Sequence, residues 1–359
     1  MMSKLIMSLS GMRGIIGDSL HPQIPLEMAM AFGTFIGKSP IIVGGDTRTS
    51  YKMLTDAVVS GLLSVGCDVI DIGQIPTPTA QQMIRHHSAA GAIVITASHN
   101  PAIWNGLKLM NEDAGFLSAS EFDSFYSQYK DKEIPQKGFN TLGTYQKDEQ
   151  AIENHIHYIL DRIDTTVIKE AKLSILVDVN NGTGALATPP LLDKLGVNYT
   201  LLGPSPNGLF EHTPEPTKET LQSLIKGLKK GHFDAGFAQD PDADRLVIVA
   251  ENGDYIGEDY SLAYCLDYVL GSLESKTPNK QVAVNLSTSA VIADICSKHG
   301  SMIHYSKIGE PNVVEKIKET GAVVGGEGNG GVIYPKIGWG RDSLVGITLA
   351  LCHLATTKK

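Results

Sequence analysis

The sequence predicts an α/β protein of three consecutive, topologically similar domains, with mixed, mostly parallel sheets around a central cleft. Three observations predict it. One order of events repeats three times, each round opening on a short β-branched run and closing on a strand that delivers an unusual loop. Short apolar strands alternate with amphipathic helices, with glycine between helix and strand, which is the mark of βαβ units. A chain of 359 residues is also too long for one ordinary core.

The first round starts at Ile41-Ile42-Val43 and passes through the turn GGDTRTS, a helical stretch and GCDVIDIG. A Pro-marked turn and a second helix then lead to AGAIVI, which runs into Thr96-Ala97-Ser98-His99-Asn100. The second has ILVDV at 175–179, the turn NNGTG, a helix ending near Leu195 and the strand GVNYTLLG. After a Pro-rich loop and a helix around Leu221 to Lys230, DAGFAQ enters DPDADR. The third runs from VAV at 282–284 through NLSTS, a helix to His299, GSMIHYSKIG and a helix near Val313 to Glu319, and GAVVGG then enters EGNGG. The polar stretch from about Ser118 to Gln150 reads as a helix plus a connector, and Asn252-Gly253 as a turn after LVIVAE. The predicted domains are therefore 1–147, 148–252 and 253–359.

Composition narrows the function. A formal charge of −9, with no run of Lys and Arg, argues against a nucleic-acid or anionic-membrane binder, though a local basic pocket for an anion fits. Cysteines at 67, 265, 296 and 352 form no C-x-x-C pair and read as reduced core thiols. The start, MMSKLIMSLSGMRG, has neither the long apolar stretch nor the small-residue cleavage site expected of a signal peptide, and the apolar run around Leu344 to Ala355 is too short to span a bilayer. A cytoplasmic protein without a membrane partner is expected.

In open α/β sheets the working loops leave the carboxyl ends of strands. Asp240, Asp242 and Asp244 alternate, so their carboxylates can converge on one side and offer hard oxygen ligands to Mg2+. The spacing mimics an EF-hand, with Glu251 at its twelfth place, but Arg245 stands at the sixth, where that loop needs glycine. A plain acidic turn between apolar strands would incur repulsion that a cation relieves. Such a cation needs a further anionic partner, which a phosphorylated Ser98 would supply, with Arg245 and another arginine offsetting charge during transfer. Alone, Ser98-His99 reads as a turn; Asn105-Gly106 and Lys108 return the chain and bring an amine back toward the serine. In the third loop Glu327 and Asn329 sit on a permissive glycine backbone and suit adjacent sugar hydroxyls. Arg13 lies among glycines that let the backbone approach an anion. Asp46 and Arg48 form either a second anion site or an interior ion pair.

TASHNP with the following NGLK, DPDADR, the glycine-and-arginine amino-terminal segment and GEGNGG together resemble the α-D-phosphohexomutases, from about residue 6 to the end. The resemblance implies a phosphoserine at Ser98 and Mg2+ held by Ser98, Asp240, Asp242 and Asp244. It implies a phosphosugar read by Glu327 and Asn329; Arg48, read above as a candidate anion site, is expected as a further substrate contact. Phospho-Ser98 would give its group to a hexose monophosphate, and the hexose 1,6-bisphosphate so formed, which also acts as activator, would return its other phosphate. Lys108, helped by His99, would move the hydroxyl proton, and Arg13 and Arg245 would stabilise the phosphoryl charge. A monomer or homodimer is expected. Family members usually carry a fourth, carboxyl-terminal phosphate-binding domain, expected to be absent here, and many have His where this chain has Glu310 and Gly331. The GEGNGG version resembles the archaeal-type phosphoglucosamine or phosphoglucomutase branch and favours a glucosamine phosphate over glucose or mannose. Two alternatives stand beside the mutase: a truncated phosphosugar-binding remnant and a serine phosphatase.

Overall fold

Alternation along β-branched runs decides which face of each sheet meets which helix. The computed structural model describes residues 5–131, 134–273 and 280–357. The chain divides into two compact units, Met1–His155 with Asn207–Leu209, and Ile156–Pro206 with Phe210–Lys359.

The first unit runs β1 (Ile6–Ser8), β2 (Gly11–Ile15), α1 (Gln23–Ile36), β3 (Ile41–Gly45), α2 (Tyr51–Ser64), β4 (Val69–Gln74), α3 (Thr77–His86), β5 (Gly91–Ile95), β6 (Trp104–Asn111), α4 (Ala119–Asp131) and β7 (Tyr145–Lys147), and enters α5 (Ala151–Leu160). Its sheet has the order β1-β2-β6-β5-β3-β4-β7. β5, β3, β4 and β7 run parallel, while β1, β2 and β6 add an antiparallel margin. Ile41, Val43, Ile93 and Ile95 face a core with Met28 and Phe32 of α1 and Leu54 and Val58 of α2. The intervening Ile42, Ala92 and Val94 face the opposite core, with Ala80, Met83 and Ile84 of α3. A strand covered on both faces has no polar face, which is why these runs are continuously apolar; each large side chain so buried contributes about 1.5–3 kcal/mol.

The second unit carries α6 (Thr166–Ala171), β8 (Ser174–Asp178), α7 (Gly184–Leu195), β9 (Asn198–Leu202), α8 (Gln222–Lys230), β10 (Ala235–Gln239) and β11 (Leu246–Ala250). It continues with α9 (Glu258–Ser272), β12 (Gln281–Asn285), α10 (Val291–His299), β13 (Met302–Ser306), α11 (Glu310–Thr320), β14 (Val324–Glu327), β15 (Gly331–Ile333) and α12 (Ser343–Thr357). Two four-stranded sheets result, ordered β11-β10-β8-β9 and β13-β12-β14-β15. Each has a parallel centre and one antiparallel edge, β11 or β15, made by the strand that follows a chemically unusual loop.

The three α/β/α repeats and mixed sheets expected from the sequence are present. Two details differ. The connector contributes β7, which pairs with β4 at the sheet margin. Asn105-Gly106 does not make the turn but lies inside β6, where a Cβ on Gly106 would fall 2.0 Å from Met12 O, so only glycine lets β2 pair there. The apolar run from Leu344 is the buried α12, capped by Asp342, whose Oδ1 accepts from the Leu344 and Val345 N–H groups. Among the described residues no helix is long and apolar enough to cross a membrane.

Candidate active site

In the first unit, β3 and β5 are adjacent parallel strands, so the loops after them meet. Ser98 lies in the second loop at φ +49, a left-handed conformation a side chain adopts at a cost of order 1 kcal/mol or more. Hydrogen bonds hold it there. The Ser98 N–H donates to Thr96 Oγ1 at 2.9 Å, and Thr96 Oγ1 donates to Asp46 Oδ2 at 2.6 Å. Arg48, 1% exposed, donates through Nε to Asp46 Oδ2, through Nη1 to the carbonyls of Pro101 and Trp104, and through Nη2 to those of Ser98 and Asn100. These bonds engage every N–H of its guanidinium. Arg48 therefore has the interior role, building the loop around Ser98, and no donor remains for the expected substrate contact.

Three other expected residues reach the same loop or its supporting strands. His99 Nδ1 is 3.2 Å from Ser98 Oγ. Arg13, on β2, donates from Nη1 to Asn100 Oδ1 at 3.0 Å. Lys108 lies opposite Val94 on β6, buried, with Nζ 3.4 Å from Thr77 Oγ1 and 5.9 Å from the centroid of the Phe116 ring.

In the second unit, the loop between β10 and β11 gathers Asp240, Asp242 and Asp244, each offering one carboxylate oxygen within 4.8 Å of the others and each buried. The turn winds on itself: Asp240 Oδ1 accepts from the Asp244 and Arg245 N–H groups, and Ala243 sits at φ +50. Neighbouring elements brace it. Thr183 Oγ1 donates to Pro241 O, Ser343 Oγ donates to Ala243 O, and the Leu246 N–H donates to Gly330 O. Asp242 Oδ1 and Asp244 Oδ1 are buried and accept no hydrogen bond, an arrangement a hard divalent cation satisfies and carboxylates alone do not. Arg245 pairs through Nη1 with Glu215 Oε1 at 2.9 Å, and its Nε is buried without an acceptor. At the end of β8, His212 Nε2 lies 3.1 Å from Asp178 Oδ2. Burial disfavours the charged His212, but the hydrogen bond and charge of Asp178 outweigh it and raise its pKa above the ordinary value.

The glycine loop adjoins this turn. Glu327 closes β14 with its Oε1 accepting from Asn285 Nδ2 at 2.9 Å and the Gly309 N–H at 3.0 Å. Its Oε2 accepts from Arg341 Nη1 at 3.1 Å. Asn329 Oδ1 is buried with no donor, an orphaned acceptor at the loop. Arg341 also donates from Nε to Glu310 Oε2 and from Nη2 to Asp244 Oδ2, both at 2.8 Å. Burial alone would weaken its charge, yet Asp244, Glu310, Glu327 and Asp240 outweigh it and push its pKa well above the ordinary value.

The structure thus brings Ser98, His99, Arg13, Arg48 and Lys108 to one loop and its supporting strands, and Asp240, Asp242, Asp244, Arg245, Glu327 and Asn329 to two adjoining loops. Sequence reasoning missed Arg341. The signal was available: Gly338-Trp339-Gly340-Arg341 sets an arginine among glycines, the pattern that singled out Arg13.

Comparison with known proteins defines the class first: the protein is an enzyme, an intramolecular phosphotransferase of the isomerase class. Three family descriptions match in chain order, phosphoglucomutase/phosphomannomutase alpha/beta/alpha domain I over residues 4–135, domain II over 153–253 and domain III over 257–359. The chain belongs to the phosphoglucomutase/phosphomannomutase family. A phosphoglucomutase/phosphomannomutase of Thermococcus kodakarensis is 37% identical over 338 residues, 92% of this chain and 73% of that protein. A phosphoglucosamine/phosphogalactosamine mutase of Sulfurisphaera tokodaii is 32% identical over 348 residues, 96% of this chain and 76% of that protein. The solved structure of a phosphoglucomutase/phosphomannomutase family protein from Burkholderia thailandensis matches with a TM-score of 0.86 at 28% identity, covering 98% of this chain and 78% of that one.

Proposed function

We propose that this phosphohexomutase interconverts a hexosamine or hexose 6-phosphate and its 1-phosphate through phospho-Ser98 and a 1,6-bisphosphate, with glucosamine phosphate as the preferred substrate. The relative named for glucosamine and galactosamine phosphates supports that preference, and the one named for glucose and mannose phosphates supplies the alternatives. The observation that carries the reading is the buried carboxylate triad of Asp240, Asp242 and Asp244. Mg2+ bound there would neutralise phosphoryl oxygens and polarise phosphorus toward attack.

Ser98 Oγ bears the phosphoryl group. The sugar hydroxyl attacks phosphorus, the P–O bond to Ser98 breaks, and the hydroxyl proton passes to Lys108 Nζ while His99 Nδ1 exchanges the proton at Oγ. Arg13 and Arg245 offset charge on the group in transit. Transfer from the other end of the bisphosphate reloads Ser98. Glu327 Oε2 and Asn329 Oδ1 accept from sugar hydroxyls, which orients the ring in either direction of transfer.

The test is phosphorus NMR of the Ser98-phosphorylated protein with Mg2+ and glucosamine, glucose or mannose 6-phosphate in turn. A growing 1-phosphate resonance is expected, fastest with glucosamine 6-phosphate. Inorganic phosphate without isomerisation would mean a phosphatase, and neither product from any of the three sugars would mean a binding protein.

A further inference from the structure

We propose that Arg341 is a positioning residue that locks the aspartate turn and the sugar loop into one frame, setting the orientation of Asp244 toward the cation and of Glu327 toward the sugar. This rests on the roles given above to those two carboxylates. The guanidinium divides its donors among three carboxylates on three separate elements: Asp244 between β10 and β11, Glu327 at the end of β14, and Glu310 at the first residue of α11. Arginine suits this because its planar fork fixes three directions at once, whereas the lysine ammonium is a single point of charge on a flexible stem.

The mount of Arg341 is rigid. Its backbone bridges to Ile333, the last residue of β15, and the next N–H, of Asp342, donates to Val332 O. Ser343, two residues on, donates to Ala243 O and accepts from Gln239 Nε2 at 2.6 Å, so the same short segment grips both the aspartate turn and the strand that leads into it. The side chain reaches the carboxylates by crossing over Gly331. A Cβ at that position would lie 2.2 Å from Arg341 Cδ and 2.8 Å from its Cγ, so any other residue would push the arginine off its path. The last glycine of the sugar loop is thereby explained as the passage for Arg341.

The experiment titrates Mn2+ into the full chain by electron paramagnetic resonance, comparing the native protein with Arg341→Lys and Gly331→Ala, each checked for folding by thermal melting. The lysine keeps the charge and loses the fork; the alanine keeps the arginine and blocks its path. A fall in Mn2+ affinity of about tenfold in either folded variant is expected, the usual scale for a residue that orients a metal ligand. A rise in KM for glucosamine 6-phosphate that exceeds the change in kcat would accompany it. Native affinity in both variants would overturn the role of Arg341. A native protein that binds no Mn2+ would instead strike at the proposed cation site, so the two failures are distinguishable.

Discussion

The Ser98 loop and the aspartate turn are two solutions to one problem. Each is a buried loop after a central strand, each holds a non-glycine residue in the left-handed region, Ser98 at φ +49 and Ala243 at φ +50, and each is organised by a buried arginine. The arginines differ in what they hold. Arg48 spends its donors mainly on four backbone carbonyls, so it fixes the path of the chain. Arg341 spends its donors on three carboxylates, so it fixes side chains and balances their charge. The loop proposed to present a covalent carrier is held by its backbone; the turn proposed to gather metal ligands is held by its charges.

The largest expected effect isolates the carrier from its loop. Ser98→Ala should lower mutase turnover by at least about 10³-fold while leaving the melting midpoint within about 2 °C, since the loop is held by main-chain bonds. Intact-mass analysis should show the native protein, but not the variant, gaining one phosphate from glucose 1,6-bisphosphate; equal gain by both would refute Ser98 as carrier. Next, Arg48→Leu should destabilise the first unit by roughly 3–5 kcal/mol, the scale for leaving a buried charge and its acceptors unpaired. Urea unfolding measures it, and a loss under 1 kcal/mol would contradict the backbone role.

The aspartate turn should respond to a cation where the serine loop does not. Mg2+ at about a hundred times its dissociation constant should stabilise the native protein by about 2.7 kcal/mol, an effect chelation removes and Asp242→Asn abolishes. Calorimetry that finds the same Mg2+ response in the variant would break the assignment. Smaller still, Asn329→Ala should raise KM about tenfold with kcat little changed, the size expected for one hydrogen bond to a sugar hydroxyl.

The smallest effect concerns pH. Asp178 raises the pKa of His212, so protonated His212 contributes stability fully below the ordinary histidine pKa of about 6.5, and that contribution is lost as pH rises through the raised value. His212→Gln should therefore reduce the loss of stability between about pH 6 and pH 8 by a fraction of 1 kcal/mol, read as a smaller drop in melting midpoint. An unchanged drop would assign the pH response elsewhere.

Much of this was legible because it is local. Continuous apolar runs such as Ile41-Ile42-Val43 name strands buried on both faces, and Asp240, Asp242 and Asp244 announce a convergent site through spacing alone. What stayed hidden depends on partners far along the chain. Arg48 could be read as an anion contact or an interior ion pair, and only the arrival of the carbonyls of residues 98 to 104 decides between them. The glycine setting of Arg341 was readable, but its role was hidden for the same reason: its partners lie 97, 31 and 14 residues away. β7 escaped because the short exposed Tyr145–Lys147 carries no apolar pattern and is a strand only through its pairing with β4.

The passage over Gly331 has an evolutionary corollary. Because a side chain there and the arginine at 341 claim the same space, the two positions cannot change one at a time without cost. A sequence that places a larger residue at the end of this loop must give up or reroute its arginine, and one that keeps the arginine is tied to glycine. The pair should therefore be inherited together, and its joint identity would sort related chains into two groups by how they fasten the sugar loop to the aspartates.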